Sequence, residues 1–563
     1  MIRAFIVKLL ACVWASTLVG MASAGITVNV DVKDGESIAG EKTFKVTVIS
    51  DNLVTKVEFY VGDDLRAEDD STPYEFKLDT LAEKEGDLKV RFVAYTSEAE
   101  SAAKTLNLKV ENGLGKDADW HVDRGREALA ESKWDDAIRS ARTALKIKPG
   151  FNPARLVMAR AYLGKSVLDQ AQKFAEDVLA SEANNATARD LLAAINLQKA
   201  FNTFSRGTGD RDATLKVIGD ALKEAVKNRK AVLEAQLDSF GAVTDANRLQ
   251  YADLAIRAQR YSLAIDQLLP LFRKDTRQPD VANRLLYAQM RTARMRDAFV
   301  TLQEYLKGNM VDGYGSALVA ILNLQAGDAQ KSLDAEKEAL LSDPESLGVR
   351  TAQAYLALKR GATGALSKIA GQLEQTEGQR PEVLYYLSTV NYQLGNLDEA
   401  ARLFQRCVLA DPVCYDMYIE RANEAIAVSL RGTPETDDEA RKADRKYQQK
   451  VARSFFEAAL EARPESFEAL TGIALLTLVE GNKPEGLRLA QTAVKAGPEY
   501  AAGWYALACA LGETNKGSEG MAAMTNAGKW DQPNLQGMAI PKPVEAWRYF
   551  ARHGRTPLIA PPK

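Results

Sequence analysis

Two histidines, His121 and His553, stand more than four hundred residues apart, so no paired-imidazole metal motif is open to this chain. Gly512 to Ser518 imitates a phosphate-binding loop, but Lys516 precedes Gly517 and the Gly-Lys-Ser/Thr ending is missing. That stretch also falls in a turn between two expected helices, without the strand such a loop needs. No G-x-S-x-G nucleophile elbow occurs. Asp63, Asp64, Glu68, Asp69 and Asp70 could attract calcium, but they lack the ordered ligand spacing of a dedicated loop and read as a solvated acidic hairpin. Cys407 and Cys414 lie seven residues apart across an expected helix end and turn. A local disulfide is feasible there, with small buried packing residues as the competing reading, and Cys509 is left unpaired. The expectation is no catalytic residue, no cofactor and no metal: a protein that binds rather than converts.

Bulk properties agree. The 563 residues exceed one compact domain, 46% are hydrophobic and 26% charged, and the formal net charge is −3. Such a balance does not suggest nucleic acid as a partner. Arg3 and Lys8, the apolar run from Leu9 to Met21, and Ala22-Ser23-Ala24 form a signal peptide over residues 1–24. Cleavage before Gly25 leaves no membrane span and implies a periplasmic, extracellular or cell-surface location.

Residues 25–111 alternate polar and apolar side chains. Ile26 to Val32, Phe44 to Val48, Val57 to Val61, Tyr74 to Leu78, Leu88 to Phe92 and Leu106 to Val110 each show period two, separated by turns such as Asp34-Gly35. Short strands at this spacing predict an antiparallel β-sandwich. The segment carries 11 Lys+Arg against 19 Asp+Glu, so most of the chain's acidity sits here. Lys56 to Leu65, followed by Thr72-Pro73-Tyr74-Glu75-Phe76 and Gly86, resembles the bacterial immunoglobulin-like domains of exported proteins. The resemblance implies a spacer, a display platform or an adhesive module.

From residue 112 to 534 the period becomes 34. Ala137 and Ala171, Ala264 and Ala298, Pro464 and Pro498, and Gly125 and Ala159 all keep that interval. A repeat of this length predicts stacked two-helix units, because one hairpin alone cannot bury its apolar faces. Gly125, Ala137, Ala144 and Pro149 fill the small and proline slots of a first unit; Ala159, Tyr162 and Ala171 follow in a second. Leu384, Leu387, Ser388, Gly395, Ala400, Phe404 and Pro412 make the best-fitting unit. Leu470, Ala474, Ala493, Trp504, Leu507, Ala508 and Ala527 continue the series. These residues resemble the tetratricopeptide repeat, and about ten to twelve hairpins are expected. The fold class is then an Ig-like β-sandwich followed by an all-α superhelical solenoid. Residues 186–244 fit the period poorly, and a charged insert at 431–446 reads as an exposed helical extension. Residues 535–563 read as a capping helix, with Val544, Trp547, Tyr549 and Phe550 on its apolar face, and a loose proline-rich tail.

In the resembled family the first helix of each unit lines a concave groove where peptides or helices dock. Carried onto this chain, its groove slots fall on Arg126, Arg160, Asn283, Tyr287, Tyr355, Tyr385, Tyr392, Asn423 and Tyr505. Arg126 and Arg160, on adjacent units, would suit a carboxylate, and the tyrosines supply apolar area with a polar tip. The implied function is an exported, non-catalytic scaffold for a protein or peptide of the cell envelope or its surroundings. The alternative is an adhesin or glycan-binding protein acting through the sandwich.

Overall fold

The computed structural model describes residues 25–206, 209–307, 312–431 and 438–562, and the expected leader at 1–24 lies outside them. Two compact units divide at Lys165 and Ser166.

In the first unit, alternation builds two sheets. β1 (Thr27–Val30), β3 (Glu41–Ile49) and β6 (Tyr74–Asp79) form one, in the order β1-β3-β6. β2 (Ser37–Ile38), β4 (Val54–Val61), β5 (Asp64–Asp69), β7 (Gly86–Thr96) and β8 (Ser101–Val110) form the other, ordered β2-β8-β7-β4-β5. Phe44 pairs with Phe76 across β3 and β6, and Phe59 pairs with Phe92 across β4 and β7. The four buried rings meet between the sheets at centroid separations of 5.0 to 5.8 Å, so an aromatic cluster holds a domain that has no cysteine. The acidic hairpin is β4–β5. There Glu68 pairs with Lys56 at 2.9 Å, and Asp69 accepts the backbone N–H groups of Ser71 and Glu75.

Helices α1 (Ala118–Ala130), α2 (Trp134–Ile147) and α3 (Asn152–Gly164) belong to the same unit as the sandwich. Buried Asn112 explains the joint. Its Oδ1 accepts from Gly40 N at 2.9 Å and the Thr80 hydroxyl at 2.7 Å, and its amide donates to Thr80 O at 3.0 Å. His121 on α1 lies 2.9 Å from Gly113 O, and Arg142 on α2 pairs with Asp79.

The second unit is helical. α4 (Leu168–Ser181) leads into α5 (Ala186–Arg206) and α6 (Arg211–Asp238), a single long hairpin where the period is irregular. Regular units follow: α7 (Arg248–Arg257) and α8 (Tyr261–Lys274), α9 (Pro279–Arg291) and α10 (Met295–Leu306), α11 (Gly313–Gln325) and α12 (Ala329–Ser342). Next come α13 (Leu347–Lys359) and α14 (Thr363–Glu377), then α15 (Pro381–Gln393) and α16 (Leu397–Ala410). α17 (Tyr415–Ser429) pairs with the long α18 (Glu439–Ala462), α19 (Phe467–Val479) with α20 (Lys483–Ala496), and α21 (Ala501–Glu513) with α22 (Gly517–Trp530). The short α23 (Gln532–Leu535) and then α24 (Pro543–His553) complete the helices.

One backbone feature keeps the beat. Between the two helices of a unit, one residue sits at positive φ, and such residues recur 34 apart: Ser132 and Ser166, then Gln259, Ala293, Gly327, Gly361 and Gly395, then Gly481 and Asn515. A left-handed residue there ends the first helix and returns donors to its last carbonyls; after Gly395, Asn396 N donates to Asn391 O at 2.8 Å. The small slots do what close helix approach requires. Ala137, Ala159, Ala171, Ala400, Ala474 and Ala508 are all 0% exposed.

The repeat run of this unit returns on itself. α6 packs against α18, more than two hundred residues later. Arg211 pairs with Asp444 at 3.0 Å, Lys450 with Asp212, and Lys223 with Glu457 at 3.3 Å. Of the charged insert, residues 432–437 lie outside the described chain, and Glu439 onward begins α18. The described part of the expected exposed helical extension is helical and mostly exposed, and its Asp444 takes part in this closure.

Substitution at the turns tests their role. Gly395 has open space around its Cα, so Gly395→Ala is opposed by backbone conformation alone and should lower stability by about 1–2 kcal/mol. Ala293→Gly should shift the urea midpoint upward by a smaller amount, because added freedom in the unfolded chain offsets part of the relief.

Candidate functional site

A first helix lining an open groove keeps one polar, exposed face. Two first helices of the second unit, α9 and α19, do not. Every residue of α9 from Val281 to Arg291 is buried, as is every residue of α19 from Phe467 to Leu478. Neighbouring helices cover most of their surface, and the chain's own C-terminal segment covers the remaining inner side, where Arg291 bonds Pro557 O and Glu468 accepts from Thr556.

α24 packs along α17, α19 and α21. Its Trp547 and Phe550 are buried against Phe456 at ring-centroid distances of 6.1 and 6.5 Å, Tyr549 is half-buried, and Val544 is exposed. The helix thus lines the inner face of the last three first helices. Beyond it, Gly554 caps the helix and residues 555–562 run without regular secondary structure against side chains of several units. The tail expected to be loose is packed instead: Ile559 is 0% and Ala560 2% exposed.

An extended segment without a strand partner must satisfy its carbonyls by other means. Side-chain donors from five different units do so. Tyr500 donates to Gly554 O, Tyr355 to Arg555 O at 3.4 Å, Arg291 to Pro557 O at 2.9 Å, Tyr386 to Leu558 O, and Tyr314 to Ala560 O at 3.0 Å. Ala560 N in turn donates to the Thr351 hydroxyl at 2.9 Å. Two tail side chains are also recognised. The Arg555 guanidinium grips Glu420 through two hydrogen bonds of 2.6 and 2.8 Å, and the Thr556 hydroxyl bonds Glu468.

The charges are buried but matched. Burial alone would raise the Glu420 carboxyl, yet Arg555 outweighs it and holds the group below the usual carboxylate range. Arg291, 1% exposed, forms a bidentate pair with Asp416 at 2.7 and 2.9 Å; burial opposes its charge, and Asp416 more than restores it. Glu424, beside Arg421, is pushed up because burial dominates there. Where the tail begins, burial and then Arg555 lower the Lys359 ammonium to about 7, and Lys359 donates to His553 O at 2.9 Å. Burial, reinforced by Lys359, lowers the His553 imidazole to about 4 against the opposing pull of Asp531.

The residues assigned to groove slots divide into four groups. Tyr355 and Tyr385 belong to this site, Tyr355 by touching the tail and Tyr385 by donating to Glu420 at 3.2 Å. Asn283, Tyr287, Asn423 and Tyr505 are buried; Asn283 donates to Asp312, Tyr287 packs edge-on to Tyr261, and Tyr505 packs against Tyr549. Tyr392 is half-buried beside Arg421. Arg126 and Arg160 lie exposed in the first unit, on helices α1 and α3, which pack together, and Arg126 pairs with Asp123 at 2.9 Å. Slot reasoning missed Tyr314, Tyr386, Tyr500, Arg291, Glu420 and Glu468. Tyr314 and Glu468 stand at the second position of the units from Gly313 and Phe467, and a lone carboxylate inside Phe467-Glu468-Ala469-Leu470 is the signal that was available.

The Cys407 and Cys414 sulfurs are 3.1 Å apart, both as buried thiols, and Cys509 is buried alone. On the sandwich, Tyr60 and Tyr95 both donate to Glu58, at 2.6 and 2.9 Å, and their ring faces carry Arg91 and Lys56. One face of each ring is therefore taken by a cation. Among the described residues no three His, Cys, Asp or Glu side chains gather closely enough to hold a metal ion, and no helix is long and apolar enough to cross a membrane.

Residues 27–105 match the family model of the bacterial Ig domain, and residues 128–195 match that of the tetratricopeptide repeat. No curated protein matches the chain. Among solved structures, the crystal structure of yeast Tom70 is similar over 77% of this chain and 94% of that one, at 14% identity and a TM-score of 0.32. The APC/C hetero-tetramer Cut9-Hcn1 is similar over 74% of this chain and 88% of that one, at 11% identity and a TM-score of 0.38.

Two measurements probe the site. Arg291→Met should lower stability by about 3–5 kcal/mol by leaving Asp416 buried and unpaired, and the double change with Asp416→Leu should recover much of that loss in denaturant unfolding. His553 binds its proton in the unfolded chain near pH 6.5 but in the fold only near 4. Stability present above pH 6.5 should therefore fall as pH drops toward 4, with one proton's slope that His553→Gln lacks.

Proposed function

We propose that this is a non-catalytic exported scaffold whose helical repeats bind an extended peptide segment of another envelope or secreted protein, with the Ig-like module as a spacer or display domain. One observation carries the reading: residues 554–560, without regular secondary structure, already lie on the inner surface, held through main-chain carbonyls by residues from five different repeat units. Main-chain recognition accepts many sequences, and a few side-chain pockets add selectivity.

The chemistry of the inner surface supports binding over turnover. Its ionised groups are paired, and Glu420 and Asp416 each face a guanidinium. The half-buried Lys359 spends a hydrogen bond on His553 O rather than facing a partner group poised for reaction. Export rests on the leader-like residues 1–24, and the bacterial Ig domain is in keeping with it. The joint built on Asn112, Thr80 and His121 would make the sandwich a firm extension of the first helices instead of a swinging module.

The mature chain, immobilised and exposed to an extract of its own cell envelope, should retain a specific protein. Arg126 and Arg160 offer a second contact on the first unit. Changing both to Glu should weaken that capture at least about fivefold through electrostatic mismatch. The melting temperature should barely move, because an exposed pair three residues apart contributes only about 0.3–0.5 kcal/mol. Unaltered capture would remove both arginines from the interface, and no specific capture at all would remove the scaffold reading.

A further inference from the structure

We infer that the tail is a resident ligand: residues 554–562 occupy the inner groove in cis until a partner segment of the same chemistry displaces them. This rests on the reading of the groove as a peptide site, and it adds the class of peptide and a means of regulation. The segment recognised is extended, carries an arginine followed by a hydroxyl residue and a proline, and continues with small and aliphatic residues.

Each feature follows from a contact. Glu420 is 3% exposed, and its two oxygens are taken up by the two nitrogens of Arg555. An emptied groove therefore presents a buried carboxylate shaped for a guanidinium, which a lysine could not bridge in the same way. Glu468 accepts the Thr556 hydroxyl and fixes the next position. Pro557 has no N–H to satisfy, and its carbonyl is met by Arg291. Leu558 is half-buried, while Ile559 and Ala560 go into the apolar interior. The remaining contacts read only the backbone and would serve any extended chain.

The packing around the tail permits exchange. A cavity of about 440 Å³ borders its start, lined by Lys359, Trp530, His553, Arg555 and Thr556. Another of about 370 Å³ borders its far end at Leu558 and Pro561. Both ends of the segment thus adjoin open space. A buried carboxylate closed by the tail's arginine also suppresses binding of weak competitors, since a partner must replace the Glu420 contact as it enters.

The test uses the full mature chain and a fluorescent peptide of residues 554–562, followed by anisotropy. Arg555→Glu in the protein sets two carboxylates against each other and should free the groove. The peptide should then bind that variant at least tenfold more tightly than it binds the unaltered chain, and a peptide carrying the same Arg→Glu change should bind neither. Equal binding to both proteins, with the variant folded by its melting curve, would overturn the proposal and make the tail a permanent strap. So would a tail that exchanges only into a second copy, seen as a dimer in sedimentation. Should the variant fail to fold, hydrogen exchange of the unaltered chain decides: the Ala560 amide should exchange at least a hundredfold faster than the mid-helix amides of α13 and α15, and equal protection would overturn the idea. A partner captured from the extract that the tail peptide cannot displace would sink this inference alone. Tail exchange with no partner captured would sink only the scaffold reading.

Discussion

A buried carbonyl needs a donor, and this single requirement organises the interior of the helical unit. Helices satisfy their own backbone; an extended segment cannot. Once residues 554–560 lie inside, donors must come from the walls, and tyrosine suits the task because its ring fills apolar space while its hydroxyl reaches inward. Tyr314, Tyr355, Tyr386 and Tyr500 each come from a different unit. The tail therefore ties together helices that are distant in sequence, and the first helices can be buried on every side without leaving polar groups stranded.

The closure of the unit follows the same logic at larger scale. A repeat stack normally ends in polar caps, since each unit contacts only its neighbours. Here the long α6 and α18 meet, using Arg211–Asp444 and Lys223–Glu457 as exposed pairs around the contact between Gly219 and Ser454. Those surface pairs add little energy singly; their value lies in setting which faces meet. The irregular stretch and the charged insert, both departures from the 34-residue beat, are the two places where the chain supplied the extra helix length for that meeting.

Local rules made the architecture legible. Alternation placed Phe44, Phe59, Phe76 and Phe92 in a sandwich core, and the small residues Ala137, Ala159 and Ala474 marked close helix approach. Both depend on neighbours within one strand pair or one hairpin. The site was less legible because its partner comes from far along the chain. Tyr355 and Tyr385 were found by position, but Pro557, Pro561 and Pro562 read as a loose end, since proline removes donors and discourages regular structure. The same absence of N–H groups makes a proline-rich segment easy to bury once wall residues serve its carbonyls. The largely apolar run of α19, broken by Glu468, Thr471 and Thr477, held the clue: a helix hydrophobic on all sides needs a cover on all sides.

Threading has a consequence for how the molecule is made. The segment that fills the interior is translated after every helix that holds it, so the hairpins assemble around an empty, carboxylate-bearing hollow. For that interval Glu420 has no guanidinium from its own chain. Until the segment is seated, that hollow stays open to water and to any other arginine-bearing segment.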